Sequence, residues 1–221
     1  MTQKLKVAVI GLGNIGTALA TNLVKGNRAI IIADKTVEKA NILSQKLGNL
    51  AQPKEIAAAV KEADIIVLSI WFDGIKEFFK SYAAELQGKI IIDPSNPIAP
   101  DENGGFQKII GKDQSSGQIL STLLPKGAKL AKALGTLGAA SLANTAFQEP
   151  DKAVEFYATD DTKINSHIEE LIRDNGFVPV RIGGLDQSIR IEVFGDLHEF
   201  GALGKTITLS ESKEVVELVL F

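Results

Sequence analysis

Residues 6–16 read KVAVIGLGNIG and decide the fold of this chain. A short apolar run, rich in β-branched residues, ends in three spaced glycines, and a helical pattern begins at once. This is the dinucleotide fingerprint G-x-G-x-x-G between a strand and a helix, the context that gives it meaning. Gly11 permits the tight turn, Gly13 lets the backbone approach a pyrophosphate, and Gly16 lets the helix pack close to the strand. The helix N-terminus offers free N–H groups to phosphates. The predicted phosphate-binding residues are Gly11, Leu12, Gly13, Asn14, Ile15 and Gly16.

The end of the second predicted strand bears on which dinucleotide binds. That strand, residues 29–33, leads into Asp34, where an acidic residue holds the adenosine ribose. A carboxylate favours the free 2′-hydroxyl of NAD(H) and repels the 2′-phosphate of NADP(H). Lys35 and Lys39 share one face of the helix start and, with the Thr36 hydroxyl, could instead clamp that phosphate. The sequence leaves NADP(H) and NAD(H) both open as cofactors.

Length and composition bound the class of protein. The 221 residues suffice for one dinucleotide domain and a modest extension. A net charge of -3 gives no reason to expect nucleic acid. The absence of cysteine removes disulfides, thiolate nucleophiles and thiolate metal sites, and with two histidines we expect no metal site. The N-terminus enters the first strand directly and no apolar run could span a membrane, which predicts a cytoplasmic protein with no membrane partner.

Strand and helix patterns alternate along most of the chain, with nearly continuous apolar strands at residues 64–70 and 89–93. This predicts an α/β fold of the Rossmann type, a doubly wound parallel sheet with a small C-terminal α/β extension. The polar, glycine-rich residues 98–116 are predicted as an irregular loop, either a binding loop or a mobile segment. We therefore divide the chain into a dinucleotide-binding domain, residues 1–145, and a small acceptor-side subdomain, residues 146–221.

Two further strand ends supply candidates for the nicotinamide half of the site. Ser69, Ile70 and Trp71 follow a central strand, at the edge where open α/β sheets bind ligands. Trp71 could border the nicotinamide or the acceptor, or it could simply cover the sheet edge. Asn96 and Pro97 follow the next strand. Asn96 could hydrogen-bond a carboxamide, and Pro97 could be cis.

Acid and base residues are scarce in these motifs. Neither Tyr82 nor Tyr157 has a lysine four residues on, as short-chain dehydrogenases require. His198, within the glycine-bounded residues 195–201, is the candidate catalytic residue, with a structural role equally open. Hydride transfer to a flavin-like ring needs no side-chain acid, because the ring nitrogen can take its proton from solvent. Reduction of an imine or ketone would need a donor such as His198 or Tyr157 beside the nicotinamide.

Together these motifs resemble the deazaflavin (coenzyme F420)-dependent NADP reductase family, to which the reductase domain of the STEAP metalloreductases is related. The resemblance implies hydride exchange between NADP(H) and a deazaflavin or flavin. Asp34 and Lys35 depart from the serine and arginine of that family's phosphate clamp, and Gly135 departs from an asparagine. The matching motifs are GLGNIG at 11–16, LSIWF at 68–72, IIDPSNP at 91–97, KALGTLGAASL at 132–142 and GFVPVRIGGLDQSIRIE at 176–192.

Two hypotheses follow. The first is an NAD(P)-dependent oxidoreductase that moves a hydride between the nicotinamide and a small-molecule flavin or deazaflavin acceptor, which would lie near Gly138 and His198. The second is a non-catalytic dinucleotide sensor or regulatory module. An enzyme needs a second cavity against the nicotinamide, whereas a sensor does not. The apolar end VVELVLF, residues 215–221, indicates burial against the domain or another subunit, and the resemblance leads us to expect a homodimer.

Overall fold

A computed structural model of the chain describes residues 4–217. The strands are β1 (Val7–Ile10), β2 (Ile30–Ala33), β3 (Ala51–Pro53), β4 (Ile65–Leu68), β5 (Ile90–Asp93), β6 (Ile98–Pro100), β7 (Phe106–Lys108), β8 (Lys129–Lys132), β9 (Val154–Ala158) and β10 (Val178–Gly183). The α-helices are α1 (Asn14–Lys25), α2 (Val37–Leu47), α3 (Ile56–Glu62), α4 (Phe72–Ser81), α5 (Ser116–Leu123), α6 (Ala139–Thr145), α7 (Asn165–Asp174) and α8 (Leu209–Glu217). Short 3₁₀ helices lie at Thr162–Ile164 and Leu185–Ile191.

Most of the strands form one sheet, in the order β10-β9-β8-β5-β4-β1-β2-β3. Its pairs are parallel except β8 with β9, which meet antiparallel where Lys132 pairs with Ala158. The chain leaves β1 in one direction to β2 and later returns to β4 on the other side, so the strand order reverses at β1. Open α/β sheets bind ligands at the carboxyl ends of the strands beside such a reversal. The predicted Rossmann-type fold is confirmed.

Side chains of the central strands alternate between two cores. In β1, Val7 and Val9 pack into the core under α1, α2, α6 and α7, whereas Ala8 and Ile10 pack into the core under α3, α4 and α5. Every residue of β1, β2 and β4 is buried. Parallel strands covered by helices on both faces read as continuous apolar runs for this reason.

The chain after β8 extends the same sheet. β9 and β10 form its edge, and a third, smaller core lies over them, around Phe156, Ile191 and Leu197. Of the apolar end, Val215 and Val216 pack against this core, and residues 218–221 lie outside the described residues. The division at residue 145 and the homodimer both stay predictions.

Several local predictions differ from the structure. Residues 98–116, predicted as an irregular loop, contain the hairpin of β6 and β7, in which Ile98 pairs with Lys108. Trp71 is the N-cap of α4, and this helix begins at Phe72, whose ring is buried in the core. The Asn96–Pro97 bond is trans. No helix within residues 4–217 is long and apolar enough to cross a membrane.

Candidate functional site

The turn between β1 and α1 is built on three glycines with different surroundings. Gly11 has a φ of +91°, and a Cβ there would lie 2.3 Å from the Ser69 carbonyl oxygen. A Cβ on Gly16 would lie 1.9 Å from the Gly11 carbonyl oxygen, so the helix packs too closely for any side chain. A Cβ on Gly13 would have no atom within 4 Å. The space in front of Gly13 is therefore open, where the fingerprint brings the backbone near a pyrophosphate.

The N-terminus of α1 faces this open space. Its N-cap is Gly13, which has no side chain to accept from the helix, and its first turn contains no acidic residue. The first N–H groups of a helix have no intrahelical partner, and the helix dipole is positive at that end. The combination is suited to an anion.

The Asp34 carboxylate is hydrogen-bonded to the glycine-rich turn. Its Oδ2 accepts a hydrogen bond of 2.8 Å from the Leu12 N–H, and its Oδ1 accepts one of 2.9 Å from the Thr36 N–H. The residue is 7% exposed. Lys35, Thr36 and Lys39 are exposed. The structure thus fixes the Asp34 carboxylate against the glycine-rich turn and leaves both lysines in solvent.

A cavity of about 480 Å³ opens at the carboxyl edge of the sheet, beside the N-terminus of α1. Its volume is within the usual range for small-molecule sites. Exposed aromatic rings lie around it, those of Trp71, Phe106, Phe194 and Phe200. Among the described residues that line it there is no Asp, Glu, Lys or Arg. The cavity therefore suits an apolar, planar group.

The predicted site residues divide into two sets. Nine line the cavity: Gly13, Asn14, Ile15, Ser69, Ile70, Trp71, Asn96, Gly138 and His198. The others lie outside it: Gly11, Leu12, Gly16, Asp34, Lys35, Thr36, Lys39 and Pro97.

Half of the residues that line the cavity were not among the predicted site residues: Pro94, Ser95, Ile98, Phe106, Leu137, Ala139, Val193, Phe194 and Phe200. The available signal was aromatic residues in polar or glycine-rich stretches, since Phe106 follows Gly105 and Phe194 precedes Gly195.

Phe194 has a strained backbone at the cavity wall. Its φ is +75°, in the left-handed region, and its side chain is 54% exposed. A bulky residue in that region costs on the order of 1–3 kcal/mol, and such residues cluster at ligand sites. The neighbouring Val193 N–H donates to Asn96 Oδ1 at 2.7 Å, while Asn96 Nδ2 donates to the Gly135 carbonyl at 3.3 Å. The Asn96 amide thus positions the segment that carries the Phe194 ring.

His198 uses both of its ring nitrogens within the chain. Nδ1 accepts a hydrogen bond of 2.9 Å from the Phe200 N–H, and Nε2 lies 3.1 Å from the Gly135 carbonyl, to which it must donate. Burial lowers the pKa of His198 to about 4. At neutral pH the ring is uncharged and its proton is committed to a carbonyl. This geometry favours the structural role that the sequence left open.

Tyr157, the other candidate proton donor, points away from the cavity. Its hydroxyl donates to Glu169 Oε1 at 2.9 Å, and burial, together with the Glu169 carboxylate, raises the pKa of Tyr157. Tyr157 is in the core below α7 and does not line the cavity. Neither candidate donor therefore presents a free proton to the site.

A buried ionic cluster contacts Ser95, one of the residues that line the cavity. Lys132 Nζ donates to Asp93 Oδ2 at 2.9 Å, to Ser116 Oγ at 2.8 Å and to the carbonyl of Ser95. The Ser116 hydroxyl donates to Glu192 Oε1 at 2.8 Å. The cluster joins β5, β8, α5 and the segment before Phe194. Within residues 4–217, no group of three or more His, Asp or Glu side chains is arranged to hold a metal ion.

Comparison with known proteins bears on this site. Residues 6–97 match the family model described as NADP oxidoreductase coenzyme F420-dependent. The resemblance to this family is confirmed. The match includes the glycine-rich turn, Asp34 and the cavity-lining ends of β4 and β5. This part of the chain therefore carries the sequence pattern of an NADP-dependent oxidoreductase family.

Relatives extend the likeness beyond the family match. The chain is 26% identical over 199 residues to the F420-dependent NADP reductase of Methanothermobacter marburgensis, covering 85% of this chain and 88% of that protein. It is 24% identical over 187 residues to metalloreductase STEAP3 of Rattus norvegicus, covering 85% of this chain but 36% of that protein. The chain thus spans about a third of the length of STEAP3. A solved structure of a hypothetical protein from Sinorhizobium meliloti superposes with a TM-score of 0.80 at 27% identity, covering 92% of this chain and 95% of that one.

Proposed function

We propose that this chain is an NAD(P)-dependent oxidoreductase, which transfers a hydride between NADP(H) or NAD(H) and a flavin- or deazaflavin-type acceptor. The observation that carries this proposal is the contiguity of two features. The open space at Gly13, beside the N-terminus of α1, adjoins an apolar cavity rimmed by aromatic rings. The first suits a pyrophosphate and the second suits a ring against the nicotinamide. The family match over residues 6–97 supports the same class of enzyme.

The residues present fit a dinucleotide. The backbone at Gly13, Asn14 and Ile15 would hold the pyrophosphate, and Asp34 would hold the adenosine ribose. Ser69 and Ile70 would lie along the nicotinamide half. When bound, the dinucleotide supplies or accepts the hydride. The chain itself orients the two ring systems and excludes water between them.

The acceptor is inferred from what the cavity contains. It is lined mainly by aromatic and aliphatic side chains, with no Asp, Glu, Lys or Arg among the described lining residues, and His198 keeps its proton on the Gly135 carbonyl. A ketone or imine would need a side-chain proton donor, whereas a flavin-like ring can be protonated from solvent. This favours a ring acceptor. A non-catalytic sensor is not favoured, because it requires no cavity beside the nicotinamide. A cytoplasmic location and the absence of a nucleic-acid partner stay predictions.

The test is oxidation of NADPH and NADH, measured as the loss of nicotinamide absorbance. The acceptors are coenzyme F420, FMN, FAD, riboflavin and ferric chelates. We expect turnover with a ring acceptor. No turnover with any of them, at nucleotide concentrations shown to saturate the protein, would overturn the proposed reaction.

A pair of glycine variants tests the dinucleotide site itself. Gly13→Val places a side chain in the open space without a clash, so we expect the fold to remain and dinucleotide affinity to fall about tenfold or more. Gly74→Val is the control, because a Cβ at exposed Gly74 of α4 meets its nearest atom at an ordinary 3.6 Å. Unchanged affinity in Gly13→Val would contradict the assignment.

A further inference from the structure

We propose that the dinucleotide site prefers NAD(H) to NADP(H), and that Asp34 sets this preference. The inference rests on the proposed function, because it assumes that a dinucleotide binds at the glycine-rich turn. It departs from the names of the matching family and of the Methanothermobacter relative, both of which specify NADP.

The position of Asp34 is the first support. Asp34 directly follows β2, which pairs with β1, so its side chain lies beside the glycine-rich turn at the carboxyl edge of the sheet. In this fold the adenosine ribose lies next to the residue at the end of β2. A 2′-phosphate on that ribose would therefore approach the Asp34 carboxylate.

The second support is that two hydrogen bonds fix the orientation of the Asp34 carboxylate. One oxygen is held by the Leu12 N–H at 2.8 Å and the other by the Thr36 N–H at 2.9 Å. Asp34 is buried, and salt screens the repulsion between buried or partly buried charges weakly. A 2′-phosphate would bring a second anion against a fixed one, while a 2′-hydroxyl could donate to a remaining lone pair of the carboxylate.

The third support is the use of the backbone donors. Phosphate sites gather N–H groups and cationic side chains around the anion. Here the N–H groups of Leu12 and Thr36, which flank the ribose position, donate to Asp34 instead. These two N–H groups are therefore not available to bind a 2′-phosphate.

Lys35 and Lys39 oppose this preference only from solvent. Both are exposed. Attraction between exposed charges is screened by salt and reduced by the freedom of long side chains. We therefore expect the lysines to leave the site some affinity for NADPH, which falls as ionic strength rises, without reversing the order of the two nucleotides.

The wild-type chain tests this directly. Trp71, the one tryptophan in the sequence, lies at the cavity and is 63% exposed, so energy transfer from Trp71 to a reduced nicotinamide can report binding. We expect NADH to bind about tenfold or more tightly than NADPH. Equal affinities, or tighter NADPH binding, would overturn the inference and leave the proposed function standing. If neither nucleotide binds, both fail.

Substitutions then locate the cause. Asp34→Asn keeps the shape of the side chain and removes its charge, and Asp34→Ser also frees space. In both variants, the dissociation constant for NADPH divided by that for NADH should fall towards or below one. Asp64→Asn is the matched control. Asp64 Oδ2 also accepts from a backbone N–H, that of Lys6, at 2.8 Å, but it precedes β4 at the opposite edge of the sheet. The control should leave the ratio unchanged, and thermal unfolding should show that all three variants are folded.

Substitution of Lys35 tests the alternative, that a lysine and not Asp34 selects the nucleotide. Lys35→Ala should weaken NADPH binding slightly and leave NADH binding unchanged. If Lys35→Ala abolishes NADPH binding while Asp34→Asn leaves the ratio as it was, the lysine side chain selects the nucleotide and the inference is wrong.

Discussion

His198 attracts a catalytic prediction because histidine is the side chain whose ordinary pKa lies nearest to neutral pH. Its surroundings change that property. The ring is buried, its Nδ1 accepts from the Phe200 N–H, and its Nε2 lies against the Gly135 carbonyl. The neutral form satisfies both partners, whereas a second proton on Nδ1 would face the Phe200 N–H. At the scale of the residue, His198 therefore joins the loop that carries Phe200 to the turn at Gly135.

The His198→Asn substitution tests this positioning role. Asparagine can still accept from the Phe200 N–H but cannot reach the Gly135 carbonyl. We expect the free energy of unfolding in urea to fall by about 1–3 kcal/mol, the usual cost of an unpaired buried polar group. We also expect the pH profile of kcat in the wild type to lack an inflection near the ordinary histidine pKa of about 6.5. An inflection there that the variant removes would instead show that His198 acts as an acid or base.

The lowered pKa of His198 has a consequence for stability. The folded-state pKa is about 4, below the unfolded value of about 6.5, so the unfolded chain binds more protons between these two values. The contribution of neutral His198 is complete above about pH 6.5 and is lost as pH falls towards about 4. His198→Asn should flatten this part of a plot of unfolding free energy against pH.

For Glu155 we expect the free energy of unfolding to depend on pH in the opposite direction. Glu155 is fully buried, Thr136 Oγ1 donates to its Oε2, and within residues 4–217 its Oε1 has no hydrogen-bond partner. Burial raises the pKa of Glu155 to about 8, so the folded chain binds the proton that the unfolded chain releases above about 4.5. Stability from this group is complete below about pH 4.5 and is lost as pH rises through about 8.

The measurement for Glu155 is thermal unfolding across this range. As pH rises from about 5 to 8, the midpoint of thermal unfolding should fall for the wild type relative to Glu155→Gln. The reason is that glutamine keeps the shape of the neutral acid and cannot ionise. Parallel curves for the two proteins would contradict this prediction, because they would mean that Glu155 binds the same number of protons in the folded and the unfolded chain across this range.

At the scale of the element, the turn from β1 into α1 shows how tightly a helix can be set against a strand. Gly16 lies in the first turn of α1, and a Cβ there would meet the Gly11 carbonyl oxygen at 1.9 Å. Alanine in a helix is ordinarily about 1 kcal/mol more favourable than glycine. Here the contact reverses that preference.

Gly16→Ala should therefore destabilise the chain, by about 1–3 kcal/mol or more, because α1 must move away from β1. Gly13→Ala is the comparison within the same turn, and its open surroundings predict little loss of stability. The measurement is the free energy of unfolding in urea for both variants. A stabilising Gly16→Ala would contradict the packing described for this turn.

The elements that sequence analysis predicted well are the buried parallel strands. Residues 65–68 and 90–92 are all apolar because helices cover both faces of the sheet, and these residues form most of β4 and β5. The hairpin of β6 and β7 was missed because its strands have three residues each and are largely exposed, which leaves no apolar alternation to detect. The position of Ile98 and Phe106 on the cavity followed from that hairpin and was missed with it.

At the scale of the whole molecule, the cluster around Lys132 ties the two parts of the chain together. Lys132 is 2% exposed and Asp93 is fully buried, and Glu192, from the C-terminal part, accepts from the backbone N–H groups of Ser116 and Gly117 at 3.1 Å each. Removing one partner of a buried ion pair leaves the other charge uncompensated.

Lys132→Met should lower the free energy of unfolding by about 3–5 kcal/mol. Lys126→Met, at an exposed position, should change it by less than about 0.5 kcal/mol. We expect one transition in the wild type, coincident by circular dichroism and by Trp71 fluorescence, because β9 and β10 share the sheet with β1. Two separate transitions would instead support independent units that divide near residue 145.

The sequence by itself determined the fold and the glycine-rich turn at which we propose that a dinucleotide binds, because both depend on local patterns. A continuous apolar strand and a glycine fingerprint between strand and helix are each formed by neighbouring residues in the chain, so the sequence alone reveals them. Only the tertiary structure decided what Asp34, His198 and Phe194 do. Leu12 donates to Asp34, Gly135 accepts from His198, and Asn96 accepts from Val193 beside Phe194. Sheet order and the return of the C-terminal segment bring these distant partners together. Charge state and orientation depend on burial and on distant partners, which no local pattern encodes.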